Sequence, residues 1–150
     1  MTQHPPVFLE DLVVGHVFHS EEHLLDARQI IEFARQFDPQ PFHLDAKTAK
    51  ETFFKGLAAS GWHTAAITMK LIQGSVPIAN GIIGAGGEIG WPRPTRPGDV
   101  LRVESKVLEI KPSRSKPNQG MVTLECRTLN QDDAVCQSLI TKLIVMRKGE

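Results

Sequence analysis

Residues 61–72 constrain the fold more than any other part of the sequence. Their only polar side chains are those of His63, Thr64, Thr68 and Lys70. A helix on a protein surface carries a continuous polar stripe, and this segment has none. We therefore expect a helix of roughly 20 Å that other parts of the chain enclose along most of its length.

An earlier helix is predicted to follow Asp26. The Asp26 side chain can cap it, and Gln29 at the third helical position completes a capping box. The predicted inner face consists of apolar residues at helical spacing, namely Ile30, Phe33, Ala34 and Phe37. Pro39 disfavours a helical backbone at Asp38, so the helix should end there. A further short helix should begin at Asp45.

The remaining apolar segments have the alternation or the Val, Ile and Leu content of strands. They lie near residues 15–25, near 82–91, from 100 onward, around 122–127 and at 134–146. Turn-forming residues at 96–99 precede the strand that starts at 100, and those at 130–133 separate the last two strands. The sequence therefore predicts an α+β fold in which a curved antiparallel sheet wraps around a central helix. Residues 1–150 are expected to form a single domain.

Composition narrows the range of partners. The chain has 17 basic and 17 acidic side chains, which argues against a nucleic acid as the main partner. It has no signal-peptide pattern and no apolar run long enough to span a membrane, so we expect a cytoplasmic protein without a membrane partner. Cys126 and Cys136 are expected to be small buried residues. The histidines at 16, 19 and 23 lie on a predicted strand, and we expect no metal site.

The best chemical candidate is residues 37–45. Asp38 and His43 are five positions apart, which separates side chains by roughly 140° on a helix and puts them on opposite faces of a strand. Only a shaped loop would bring them together, and Pro39 and Pro41 can provide one. A carboxylate and an imidazole held together can serve as general base and acid near neutral pH. Alternatively, Asp38 only ends a helix and His43 lies on a surface loop.

This segment resembles the motif of the MaoC-like dehydratases, which include the (R)-specific enoyl-CoA hydratases. The motif runs approximately Gly-Asp-x-Asn-Pro-aliphatic-His, and Asp38, Pro41 and His43 match its aspartate, proline and histidine. Phe37 replaces the glycine and Gln40 the asparagine, which indicates a branch other than the short-chain enoyl-CoA enzymes. The resemblance extends over most of the chain, including residues 53–56, 59–61, 93–94 and 96–99.

The resemblance implies a hot-dog fold and the reversible hydration or dehydration of an acyl thioester. Asp38 and His43 would hold a water over the double bond of an enoyl thioester. The backbone amide of Gly61 would bind the thioester oxygen, where negative charge develops. The acyl carrier would be coenzyme A or an acyl carrier protein, with no further cofactor. A homodimer or a dimer of dimers is expected, because 150 residues leave no second layer to cover the mouth of the sheet.

Three alternatives remain at this point. An acyl-CoA thioesterase would direct a carboxylate at the thioester carbonyl. A non-catalytic acyl-thioester-binding subunit would share the fold, although the presence of both Asp38 and His43 argues against it. Gly61 is equally well explained as the first helical residue after a Ser60 cap. Five basic loop residues are candidates for contacts with the phosphates of coenzyme A, namely Arg93, Arg96, Lys111, Arg114 and Lys116.

Overall fold

The computed structural model describes residues 4–149 and contains four α-helices and six β-strands. The helices are α1 (Ala27–Phe37), α2 (Pro41–Leu44), α3 (Ala46–Ala49) and α4 (Gly61–Ser75). The strands are β1 (Val17–His19), β2 (His23–Leu24), β3 (Ile83–Gly90), β4 (Val100–Pro112), β5 (Gln119–Leu129) and β6 (Val135–Met146).

The strands form one antiparallel sheet in the order β1-β4-β5-β6-β3, and β2 also pairs with β4. The predicted turn at 130–133 connects β5 to β6. It is closed by the Asn130 side chain, which accepts hydrogen bonds from the backbone amides of Asp132 (2.9 Å) and Ala134 (3.0 Å). The predicted α+β class and curved antiparallel sheet are confirmed.

Helix α4 packs against this sheet on one side only. Its inner side chains are buried and include Ile67, Leu71 and Ile72. On the opposite side, Trp62 is 61% exposed and Met69 is 44% exposed. The expectation that the chain encloses this helix along most of its length is therefore wrong for the single chain. The sheet is one layer, and at 3.6 residues per turn the far side of the helix points away from it.

Helix α1 follows the predicted cap. The Asp26 carboxylate accepts a hydrogen bond from the Gln29 amide (2.9 Å), and the helix ends at Phe37. Ile30 and Ala34 are buried as predicted, whereas Phe37 is 68% exposed, which corrects its assignment to the inner face. Phe37 occupies the last turn of α1, and its ring packs against that of Phe33 (5.1 Å between centroids).

The long strand predicted at 15–25 is instead two short strands, β1 and β2. At Ser20 the side chain takes part in the ladder: its hydroxyl accepts the Val103 amide (2.7 Å), while its own amide donates to the Val103 carbonyl (3.0 Å). A hydroxyl in place of a carbonyl interrupts regular pairing. The prediction for Cys126 and Cys136 is confirmed, since both are buried and free. Within residues 4–149, no helix has the length and hydropathy to span a membrane.

Candidate active site

Asp38 lies where α1 ends. Its amide closes the last turn on the Ala34 carbonyl (2.9 Å), while its own φ of −155° leaves the helical region. The following Pro39 explains this departure, because a proline crowds a helical backbone at the preceding residue. The Asp38 carboxylate thereby turns toward the start of α4, and its side chain is 18% exposed.

His43 lies on α2, a single helical turn that begins at Pro41. The expectation of an irregular loop is wrong at this point, because proline is well suited to the first helical position. The His43 side chain is 5% exposed, and its Nδ1 lies 2.6 Å from the Ala58 carbonyl oxygen. Nδ1–H therefore donates to this carbonyl, which leaves Nε2 directed at Asp38.

The structure brings Asp38 and His43 together, with 3.4 Å between Nε2 of His43 and Oδ2 of Asp38. This separation exceeds that of a strong direct hydrogen bond, so both groups retain capacity to bind a third molecule. The helical turn between the two residues produces this approach, which the spacing of the residues alone does not. Their catalytic roles stay a prediction.

Two hydrogen bonds hold the Asp38 carboxylate. The Ser60 hydroxyl donates to Oδ2 (2.7 Å), and the Gln40 side-chain amide donates to Oδ1 (2.9 Å). Burial opposes ionisation of Asp38, but these two hydrogen bonds and the charge of His43 together hold its pKa below the ordinary value. Asp38 is therefore ionised at neutral pH. Ser60 also caps α4 through the Trp62 amide (3.3 Å) as expected, but the sequence did not indicate its bond to Asp38.

A cavity of about 440 Å³ opens beside the pair, and of the two side chains it is His43 that lines it. Its lining includes His43, Phe54, Gly61, Thr64, Trp91 and Thr95. The inner hydroxyls are joined, since Thr64 donates to Thr95 (3.1 Å) and both are buried. The cavity therefore has an aromatic mouth and a polar inner wall, and His43 and Gly61 share it.

Trp91 covers the first residue of α4. Its indole N–H donates to the Gln137 side-chain oxygen (3.0 Å), which fixes the ring against Gly61. A Cβ atom at position 61 would lie 2.7–2.9 Å from three ring carbons of Trp91. Only glycine fits at position 61 with the ring in this place, and nothing in the sequence indicated this contact.

Gly61→Ala should lower kcat/KM by about tenfold or more for a substrate that binds in this cavity. The reason is that the added methyl group displaces Trp91 at the cavity wall. Steady-state kinetics on the wild type and the variant measure this. Gly74→Ala is the matched control, since a Cβ at that exposed position of the same helix meets nothing within 4 Å. We expect Gly74→Ala to keep wild-type kinetics and to gain about 0.5–1 kcal/mol of stability. Equal kinetics in both variants would contradict the steric role of Gly61.

Arg96 has a structural role in this part of the fold. Its guanidinium donates to three backbone carbonyls, those of Phe54 (2.6 Å), Gly56 (3.1 Å) and Leu57 (3.3 Å). These bonds hold the loop that carries Phe54 against the cavity. Arg93 is exposed and lines the cavity, and its contact with a phosphate of coenzyme A stays a prediction.

His63 is buried on α4 and stacks on the ring of Phe33 (4.5 Å between centroids). Within the described residues, its Nδ1 has no hydrogen-bond partner. Burial, with a smaller contribution from the charge of His23, lowers the pKa of His63 to about 4. His63 is therefore neutral in the folded protein at neutral pH.

The lowered pKa of His63 predicts acid sensitivity. Between pH 6.5 and about 4 the unfolded chain binds a proton at this side chain that the folded chain does not. The free energy of unfolding should therefore fall across this range as the pH drops, by on the order of 3 kcal/mol. Urea unfolding at several pH values measures it. His63→Phe should flatten the slope, the exposed control His19→Gln should not, and an unchanged slope in His63→Phe would contradict the assignment.

Comparison with known proteins identifies the family and the fold of this chain. The model of the MaoC-like domain family matches residues 9–128. A MaoC-like dehydratase from Rhodospirillum rubrum is 54% identical, and its crystal structure superposes with a TM-score of 0.94 over 96% of this chain and 99% of that one. The (R)-hydratase PhaJ1 from Pseudomonas aeruginosa is 27% identical, with a TM-score of 0.79 over 95% of this chain and 88% of that one. The Bacillus subtilis protein YdeM is 33% identical over 128 residues, which cover 83% of this chain and 89% of YdeM.

The antiparallel sheet packed against α4, together with the match to these dehydratase and hydratase structures, defines a hot-dog-fold protein of the hydratase and dehydratase class. The chain belongs to the MaoC-like family, whose domain model covers most of its length. The predicted family and the predicted fold are thereby confirmed.

Proposed function

We propose that this protein catalyses the reversible addition of water to a 2-enoyl thioester, giving a 3-hydroxyacyl thioester. The observation that carries this proposal is the pairing of an ionised Asp38 with His43 beside a cavity that also contains Gly61. The resemblance to the (R)-hydratase PhaJ1 supports the same type of reaction. The acyl group is carried by coenzyme A or an acyl carrier protein, and no other cofactor takes part.

The N–H of Gly61 is the donor for the thioester oxygen. Within residues 4–149, the next two amides of α4 already have acceptors: Trp62 N–H bonds to Ser60 Oγ, and His63 N–H to the Ser60 carbonyl (3.0 Å). Gly61 precedes them and lines the cavity. Amides at a helix N-terminus carry partial positive charge, which stabilises the enolate oxygen that forms during the reaction.

The proposed reaction adds one water molecule across the double bond. Asp38 accepts a proton from the water as its oxygen bonds to C3, and the π electrons move toward the thioester oxygen at Gly61. The proton that Asp38 has accepted is then passed to C2 on the same face, directly or through Nε2 of His43, so the Asp38–His43 pair returns to its starting state. The C2–C3 π bond and one O–H bond break, and C3–O and C2–H bonds form. Dehydration is the reverse.

A panel of 2-enoyl-CoA thioesters of different acyl length and branching tests the proposal. We expect loss of enoyl absorbance with at least one member and no release of free thiol. Release of thiol would indicate the alternative, a thioesterase. Binding of the thioesters without any turnover would indicate a non-catalytic subunit.

We also propose that the active form contains two copies of the chain. Strand β3 ends the sheet, with β6 as its partner, and nearly all of its residues are exposed. They include Ile83 at 47% and Ile89 at 37%. A long exposed edge strand is a template for pairing with another strand, and a second copy satisfies its free amides and carbonyls.

Ile89→Lys should shift the protein from dimer to monomer in sedimentation velocity, because a charge on β3 opposes burial of this edge. Leu108→Lys is the matched control, since Leu108 on β4 is also 37% exposed but lies on an interior strand of the sheet. We expect the control to sediment as the wild type does. A monomeric wild type, or a dimer unaffected by Ile89→Lys, would contradict this interface.

A further inference from the structure

The Ser60 hydroxyl makes more contacts than a helix cap requires. A cap needs only an acceptor, and Ser60 Oγ provides it to the Trp62 amide (3.3 Å). The same hydroxyl also donates its proton to Oδ2 of Asp38, 22 residues earlier in the chain, at 2.7 Å. Ser60 is fully buried, so water does not compete for either bond.

We propose that Ser60 is a positioning residue that holds the Asp38 carboxylate in a fixed orientation relative to the Gly61 amide. This inference rests on the proposed function, and it assigns to Ser60 a role that capping of α4 does not include. Ser60 touches the base, whereas Asp38 and the Gly61 amide touch the reacting atoms.

The backbone of Ser60 supports this role. Its carbonyl accepts the amides of His63 (3.0 Å) and Thr64 (3.1 Å), so the residue is tied to the first turn of α4. Gly61 follows directly in the chain. The base and the proposed oxyanion donor are therefore connected through one residue whose backbone and side chain are both hydrogen-bonded. Small displacements between such groups lower reaction rates strongly.

The charge distribution around Asp38 makes the role measurable. His43 is the titratable side chain whose charge acts on this carboxylate, and Gln40 and Ser60 are its two neutral side-chain donors. A donor to the ionised form stabilises it, so removal of the Ser60 hydroxyl should raise the pKa of Asp38. Loss of an ordinary cap, remote from the carboxylate, would not change that pKa.

Ser60→Ala tests the proposal, with Ser60→Gly as a second variant because glycine is well tolerated at a helix N-cap. The Asp38 carboxyl carbon is titrated by NMR in each protein, and kcat and KM are measured on a 2-enoyl-CoA thioester. We expect the Asp38 midpoint to rise by about one unit and kcat to fall by about ten- to a hundredfold, with KM nearly unchanged. Thr68→Val is the control, since it removes another buried α4 hydroxyl, one that bonds to Thr128 (2.6 Å) instead.

An unchanged Asp38 midpoint in both Ser60 variants would overturn the proposal. The proposal would also be overturned if the Ser60 variants lost no more kcat than Thr68→Val does when the losses of thermal stability are equal. The NMR titration does not depend on turnover, so it separates this inference from the proposed function. A raised midpoint in an enzyme whose activity survives Asp38→Asn would contradict the hydration mechanism, while the coupling of Ser60 to Asp38 would stand.

Discussion

Asp38→Asn should lower kcat for hydration by about two to four orders of magnitude while the protein stays folded. The amide has nearly the shape of the carboxylate, and its oxygen can still accept a hydrogen bond from Ser60 or Gln40. It cannot accept a proton from water, so the general base is lost. Steady-state kinetics on an enoyl-CoA thioester, with a thermal melt on the same sample, measure both parts of this expectation.

Asp45→Asn is the matched control for this substitution. Asp45 lies in the same segment, so Asp45→Asn also replaces a carboxylate by an amide there. Its exposed side chain, however, caps α3 through the amides of Lys47 and Thr48. Asparagine caps helices about as well as aspartate. We expect wild-type kinetics and stability from Asp45→Asn. Wild-type turnover by Asp38→Asn would remove the proposed mechanism.

His43→Ala should also lower kcat by about two to four orders of magnitude, because the imidazole is the partner that moves the second proton. The alanine leaves the Ala58 carbonyl without its donor, so some stability will be lost as well. His43→Gln provides a side-chain donor for that carbonyl and separates the two effects. It should recover stability but not activity, as measured by thermal melts and kinetics.

The double variant Asp38→Asn/His43→Gln tests whether the two residues act as one unit. Groups that share one step give losses that are far from additive, so the double variant should be little worse than either single one. His16→Gln, an exposed histidine, is the control and should leave kcat unchanged. Additive losses from Asp38 and His43 would show that the two residues serve separate steps.

Local sequence rules predicted much of the fold. The cap at Asp26, the stop at Pro39, the cap at Asp45 and the turn at Asn130 each depend on neighbours within a few residues, and the structure contains all four. The division of residues 15–25 into β1 and β2 depends on Ser20 bonding to Val103, which is far away in the chain. No local pattern indicates such a contact.

At the candidate site, too, the local features were predicted and the contacts between distant residues were not. The prolines at 39 and 41 and the resemblance to a known motif indicated that Asp38 and His43 converge. The groups that hold them were not indicated, because each reaches across the fold: Ser60 to Asp38, Ala58 to His43, and Trp91 to Gly61. The burial of α4 was overestimated for another reason. The apolar pattern of residues 61–72 does not tell whether each face of the helix packs within its own chain or stays exposed there, as Trp62 and Met69 do.

The most direct test of the account is a turnover experiment in water enriched in heavy oxygen. A 2-enoyl-CoA thioester is incubated with wild-type protein or with Asp38→Asn, and the products are examined by mass spectrometry. The account predicts one labelled oxygen in a 3-hydroxyacyl thioester from the wild type, and labelling by Asp38→Asn at least about a hundredfold slower. Unlabelled substrate recovered from the wild type with every enoyl thioester of the panel, or equal labelling by both proteins, would contradict it.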